Sequence, residues 1–270
     1  MGPMFRRFRQ QDAQLNVYNL AIMRQQHPRR FVFLRVDSNN DCNVHCVYCH
    51  NHRSADRLDA ADLRAFLEQN VIRVDNFQLG CIMEPTLDPR MADLMLLVAG
   101  SRARPAHRFV LQTNGLLLHR HDHAKMRDAG LTHLSASIDS ADPATHKLLR
   151  GGSSLSKTIA NIVAFRTSCP AAEVEFITTV TRANVDAMDA LVALGLDLGV
   201  SGFVLRAVFY LPENNVVDHA RMLELLLGPD DFARMRDRLT ARFGGRARFE
   251  FADSVTLDRS AQRIRADSFR

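Results

Sequence analysis

No run of this sequence is long and apolar enough to cross a bilayer. Stretches such as Leu94–Ala99 stop far short of the roughly 20 residues that a span requires. Cysteine is also sparse. Five cysteines scattered unevenly through 270 residues do not make a disulfide framework, and they point to a reducing, cytoplasmic compartment. No apolar segment follows Arg6, Arg7 and Arg9, which argues against a secretory signal. There is no Gly-x-Gly-x-x-Gly after a strand, no Walker-type Gly-x4-Gly-Lys and no His-Glu-x-x-His, so an ordinary Rossmann-type methyltransferase is disfavoured. Internal repeats and low-complexity linkers are missing too. The formal net charge of +5 comes mostly from dispersed arginines and from those near the two ends, and no basic run is interleaved with aromatics. That pattern reads as solvated surface, not as a nucleic-acid face.

What is present is an alternation. Apolar, β-branched runs at Phe31–Val36, Val71–Cys81, Arg108–Gln112, Leu131–Ile138, Val174–Val180 and Gly202–Tyr210 read as strands. Between them, Leu58–Gln69, Asp88–Gly100, His119–Ala129, Thr158–Thr167 and Val185–Leu198 read as helices, and Ala220–Leu227 and Asp231–Phe243 follow. Gly130 and Gly199 stand as helix stops just before strands. Six strand-then-helix units with short connections predict an α/β fold of parallel strands, and an open partial (β/α)6 TIM-like barrel is chosen over a flat doubly wound sheet. Residues 30–243 would form the barrel, 1–29 a helical N-terminal extension and 244–270 a short C-terminal addition with a short strand at Ala247–Phe251.

The chemistry concentrates in the loop after the first strand, from Asp37 to Ser54. There Cys42, Cys46 and Cys49 are separated by three and then two residues. Three thiolates so spaced can hold a [4Fe–4S] cluster that normally takes four, leaving one iron open for a small molecule. Zinc is the competing reading, since His45, His50 and His52 lie alongside, but zinc sites use ligand pairs separated by intervening chain and no second pair appears.

Cys-x3-Cys-x2-Cys after a first strand, with Tyr48 just before the last cysteine, closely resembles the radical S-adenosylmethionine (SAM) superfamily. The resemblance implies that SAM chelates the open iron through its methionyl amine and carboxylate. It further implies that an electron from the cluster cleaves SAM to methionine and a 5′-deoxyadenosyl radical, which takes a hydrogen atom from substrate.

Motifs at later strand ends extend the resemblance over about two-thirds of the chain. Glu84-Pro85-Thr86-Leu87 is similar to the family's Gly-Gly-Glu-Pro, with Ile82 and Met83 in place of the glycines; it implies that Glu84 holds the methionyl ammonium. Thr113-Asn114-Gly115, Ser137-Ile138-Asp139 followed by Arg150-Gly151-Gly152, and Arg206 at the sixth strand occupy equivalent places. By that resemblance Asn114, Ser137, Asp139 and Arg206 are candidate SAM contacts, and Tyr48 would meet the adenine through its backbone. Cys81 is a candidate hydrogen-atom donor, against the ordinary alternative of a small buried hydrophobe. No cysteine follows Cys169, so an auxiliary cluster is not expected and redox-neutral chemistry is favoured.

The implied partners are a small-metabolite or peptide substrate and an external electron donor such as flavodoxin or ferredoxin, with no membrane or nucleic acid. The alternatives left open are a glycyl-radical activating enzyme, an RNA-modifying member of the superfamily, and a non-catalytic iron–sulfur or zinc protein.

Overall fold

The computed structural model describes residues 29–252. The extension expected over 1–29, except for Arg29, and the tail past Ala252 lie outside the described residues. The chain runs β1 (Arg30–Val36), β2 (His45–Cys46), α1 (Ala60–Asn70), β3 (Arg73–Leu79), α2 (Met91–Ala99), β4 (Arg108–Thr113) and α3 (His123–Asp128). It continues through β5 (His133–Ser137), α4 (Pro143–Leu149), β6 (Arg150–Gly151), α5 (Leu155–Ser168), β7 (Glu173–Val180) and α6 (Met188–Asp197). The last elements are β8 (Gly202–Ala207), α7 (His219–Leu225), α8 (Pro229–Phe243) and β9 (Arg248–Ala252).

Seven strands form one parallel sheet in the order β1-β3-β4-β5-β7-β8-β9, a partial barrel. Parallel neighbours need a crossover, and a helix lies in each one. Because all strands run the same way, their C-terminal ends share one mouth, where the loops that follow them collect. The short strand expected after residue 243 is β9; it pairs with β8 from Gly202↔Arg248 to Arg206↔Ala252 and so extends the sheet beyond the six units.

Side chains alternate across each strand, which splits the sheet into two unlike faces. Leu34, Leu79, Leu111, Leu134, Phe176 and Leu205 are buried in a continuous apolar core shared with the helices. The opposite face is polar: it carries Arg35, Gln78, Gln112, Ser135, Glu175 and Arg206, which makes the concave side of the barrel a hydrophilic chamber. A second, smaller core joins Leu149, Val208, Val217, Met222 and Leu225 to Val47 and Tyr48, and this core seats the cysteine loop.

Boundaries move where side chains intervene. The third helix is expected from His119, but Asp122 accepts hydrogen bonds from the backbone N–H groups of Ala124 and Lys125 and starts α3 one turn later; a single 3-10 turn, Leu118–Arg120, precedes it. The second strand stops at Leu79, not Cys81, because Gly80 turns the chain with φ +77°, where a Cβ would stand 2.4 Å from the carbonyl oxygen of Gln112.

Candidate active site

The cysteine loop rises from β1 and is stitched to the hairpin after α4. Its residues His45 and Cys46 form β2, which pairs antiparallel with Arg150 and Gly151 of β6. The Val47 N–H donates to the Leu149 carbonyl at 3.0 Å, and the Cys49 N–H donates to the Cys46 carbonyl at 3.0 Å, closing the turn between the last two cysteines. Arg53 donates to the carbonyls of Cys42, at 2.6 Å, and Val44, which holds the loop's outer limb.

All three thiols are free and partly exposed, and they interact electrostatically as one group. Burial pushes the Cys42 thiol up and the Cys46 thiol up to about 11, with Arg150 opposing the rise at Cys46. Two of the sulfurs face N–H donors: Asn51 Nδ2 lies 3.8 Å from Cys49 Sγ and Arg150 Nη1 lies 4.0 Å from Cys46 Sγ. A set of three thiols with N–H groups directed at sulfur suits an anionic iron–sulfur cluster. Among the described residues, no three His, Cys, Asp or Glu side chains are grouped so as to hold a single metal ion. His45 and His52 are exposed, and His50 stacks on Phe209 at 5.0 Å.

Glu84 lies just beyond β3 and is 2% exposed. Its Oε1 accepts hydrogen bonds from Thr86 N–H at 3.0 Å, Thr86 Oγ1 at 2.6 Å and Thr113 Oγ1 at 2.6 Å, and its Oε2 accepts from Asn114 N–H at 2.7 Å. No basic side chain pairs with it among the described residues. Burial pushes its carboxyl up, against the pull of those four donors. The site thus has a buried carboxyl group of fixed geometry with no basic partner among the described residues. Its backbone ties directly to the cysteine loop: Asn39 Nδ2 donates to the Glu84 carbonyl at 2.9 Å, and Glu84 N–H donates to Asp41 O at 3.0 Å. Asn114 completes the link, its Nδ2 donating to Asn43 Oδ1 at 2.7 Å.

The other expected residues divide between two places. Tyr48 and Asp139 come together, the phenol donating to Asp139 Oδ2, and Arg150 Nε lies 2.9 Å from the same oxygen. Thr179 N–H donates to Asp139 Oδ1 at 3.0 Å, so this carboxylate is occupied within the protein. Cys81 and Arg206 meet in the chamber beside Arg35. Burial raises the Cys81 thiol to about 11, which keeps it protonated at neutral pH, and burial lowers the Arg206 guanidinium from its ordinary value. Ser137 is buried on the inner face of β5, where its backbone is paired with Ile177 of β7.

Two positioning groups escape a reading of the sequence. Asp37, directly after β1, accepts at Oδ1 from the N–H groups of Cys81 at 2.8 Å, Ile82 at 3.2 Å and Met83 at 3.2 Å. It therefore shapes the segment where Ile82 and Met83 stand in place of the family's glycines. Arg150 is visible in sequence only as part of Arg-Gly-Gly, and its burial against Asp139 and Cys46 depends on the fold.

Residues 37–194 match the family profile described as the Radical SAM superfamily, more than half of the chain. The chain belongs to that superfamily. Members use a [4Fe–4S] cluster and SAM. Among curated relatives, a GTP 3',8-cyclase of Parasynechococcus marenigrum is 28% identical over 245 residues, 82% of this chain and 68% of the relative. A probable GTP 3',8-cyclase of Methanococcus aeolicus is 26% identical over 136 residues, 48% of this chain but only 44% of the relative. Among solved structures, SuiB of Streptococcus suis bound to its precursor peptide SuiA superposes with a TM-score of 0.65 at 16% identity, covering 83% of this chain and 48% of that one. This likeness is one of fold, the radical SAM partial barrel. The chain spans about half the length of several proteins it resembles.

Proposed function

We propose that this chain is a radical SAM enzyme with one cluster, whose substrate is a polar small metabolite or modest peptide entering the barrel mouth. Cys42, Cys46 and Cys49 would hold the [4Fe–4S] cluster. When bound, that cluster supplies the electron that cleaves SAM to methionine and a 5′-deoxyadenosyl radical. Glu84 receives the methionyl ammonium, Tyr48 meets the adenine through its backbone, and Asn114, Ser137 and Arg206 contribute further SAM contacts. Asp139 serves the same site by holding Tyr48 and Arg150.

The observation that carries this reading is the wiring of Glu84. A buried carboxylate with four donors and no basic partner among the described residues sits hydrogen-bonded to the loop that bears the cysteines, so cluster ligand and cation acceptor are kept in one frame. The polar inner wall favours a substrate with hydrogen-bonding groups, since an apolar one would leave those groups unpaired. Cys81, protonated and placed in the chamber, is positioned to return a hydrogen atom to a substrate radical. Five free thiols fit a reducing, cytoplasmic setting, and an external donor such as flavodoxin or ferredoxin would supply the electron.

Anaerobic reconstitution tests the proposal. About four irons per chain should be bound, as one cluster holds, and dithionite with SAM should release 5′-deoxyadenosine. Cys46→Ala should abolish both. Zinc without iron, or turnover unchanged in Cys46→Ala, would refute it. Substrates are then sought by deuterium transfer into 5′-deoxyadenosine.

A further inference from the structure

The strut beneath the cysteine loop is a second, distinct piece of machinery. Arg150 faces Cys46 across the two-residue β2–β6 ladder, and its side chain turns back to Asp139 at the end of β5. The two side chains are 10% and 0% exposed, with contacts of 2.9 Å from Nε to Oδ2 and 3.2 Å from Nη2 to Oδ1. Asp139 is fixed from the far side as well. Thr179 N–H binds its carboxylate at 3.0 Å, and Asn184 Nδ2 donates to its carbonyl at 2.8 Å. From this rigid strand end the carboxylate reaches the loop twice, once through Arg150 opposite Cys46 and once through the Tyr48 phenol between Cys46 and Cys49. The ladder leaves no slack, because a Cβ on Gly151 would stand 2.6 Å from the carbonyl oxygen of His45.

We infer that Arg150 is a positioning residue for the cluster: with Asp139 and Tyr48 it presets the Cys46–Cys49 arm, and its guanidinium, 4.0 Å from Cys46 Sγ, raises the cluster's reduction potential. This rests on the reading that the cysteine loop holds the cluster. The added electron makes an iron–sulfur cluster more negative, so a fixed cation at a ligand sulfur favours the reduced state, and hydrogen bonding to sulfur acts in the same sense. Burial strengthens the effect by lowering the local dielectric. Asp139 opposes it as the counter-charge. The two partners therefore act on the potential with opposite signs while acting on loop order together, and that separates the inference from a purely structural role.

The test uses the reconstituted full chain and an EPR-monitored redox titration. Arg150→Met should move the midpoint negative, read as roughly a tenfold smaller ratio of reduced to oxidised cluster at a fixed potential. Asp139→Asn keeps an acceptor for the guanidinium but removes the negative charge, and it should move the midpoint positive. Arg150→Lys retains the charge without the planar fork and should stay near the wild-type potential. In the metal-free chain, Arg150→Met should speed hydrogen exchange of the Val47 and Cys49 amides at least tenfold. Should Arg150→Met fail to hold a cluster, the Asp139→Asn shift decides alone. A midpoint that moves negative or stays put in Asp139→Asn overturns the inference. A wild-type chain that takes up no iron overturns the proposed function instead, so the two failures are distinguishable.

Discussion

Replacing Glu84 by Gln tests the centre of the site while keeping its shape. Oε1 receives three donors and Oε2 receives one, so the glutamine amide should place its oxygen at the Oε1 position and its NH2 where Oε2 stood. There it confronts the Asn114 N–H, which in the native protein donates at 2.7 Å. Leaving that donor unpaired costs about 1–3 kcal/mol. Against it, the substitution removes a buried charge whose carboxyl is already pushed up by burial, which returns part of the loss. The net effect on the metal-free fold should stay within about 2 kcal/mol, a fall in melting temperature of roughly 4–8 °C. SAM binding should respond far more. Truncating one side of a buried, hydrogen-bonded charge pair costs about 2–5 kcal/mol, and even 3 kcal/mol is more than a hundredfold in Kd. Equilibrium dialysis of SAM against oxidised, reconstituted protein, alongside thermal denaturation of the metal-free chain, separates the two quantities. A Kd within threefold of wild type at equal iron content would refute the reasoning. So would a variant that loses its fold, since the four donors would then be structural in purpose.

Three further outcomes are expected. His146 is buried, accepts from Asp139 N–H at Nδ1 and contacts Ser153 Oγ at 2.9 Å, and burial lowers it to about 4. Its folded value lies below the unfolded 6.5, so its contribution is complete above about pH 6.5 and is lost as pH falls toward 4, by roughly 3 kcal/mol; urea denaturation at pH 7.5 and 5.0 should show this, and His146→Gln should flatten the difference. Gly80→Ala should destabilise by about 2 kcal/mol or more and lower SAM affinity, because φ +77° strains any L residue and the new Cβ meets the Gln112 carbonyl; an unchanged denaturation midpoint would count against the turn's role. Cys81→Ala should leave 5′-deoxyadenosine formation intact but uncouple it from product, measured as the ratio of the two, and a ratio unchanged from wild type would remove Cys81 from the chemistry.

Legibility followed the range of the interactions. The strand Phe31–Val36 and the cysteine loop after it are visible in residue pattern and spacing, because both are local: burial on a strand repeats every two residues and cluster ligands sit a few residues apart. The six strand–helix units likewise follow from periodicity, and parallel order follows from the crossovers. Boundaries were less legible, as at α3, where the capping Asp122 starts the helix one turn later than the residue pattern suggests.

The sequence by itself determined the superfamily, the parallel barrel and the residues from which a cluster site could be built, since each is written in short-range spacing. Only the tertiary structure decided how those residues are held. It set Asp37 against three amides of the Cys81–Met83 turn, left Glu84 buried without a basic partner among the described residues, and joined Asp139 to Arg150 and Tyr48. Asp37 and Cys81 are 44 positions apart, and Tyr48 and Asp139 are 91 apart. No local pattern encodes such pairings; they arise when parallel strands bring their C-terminal ends to one mouth and burial drives the polar groups there to find partners.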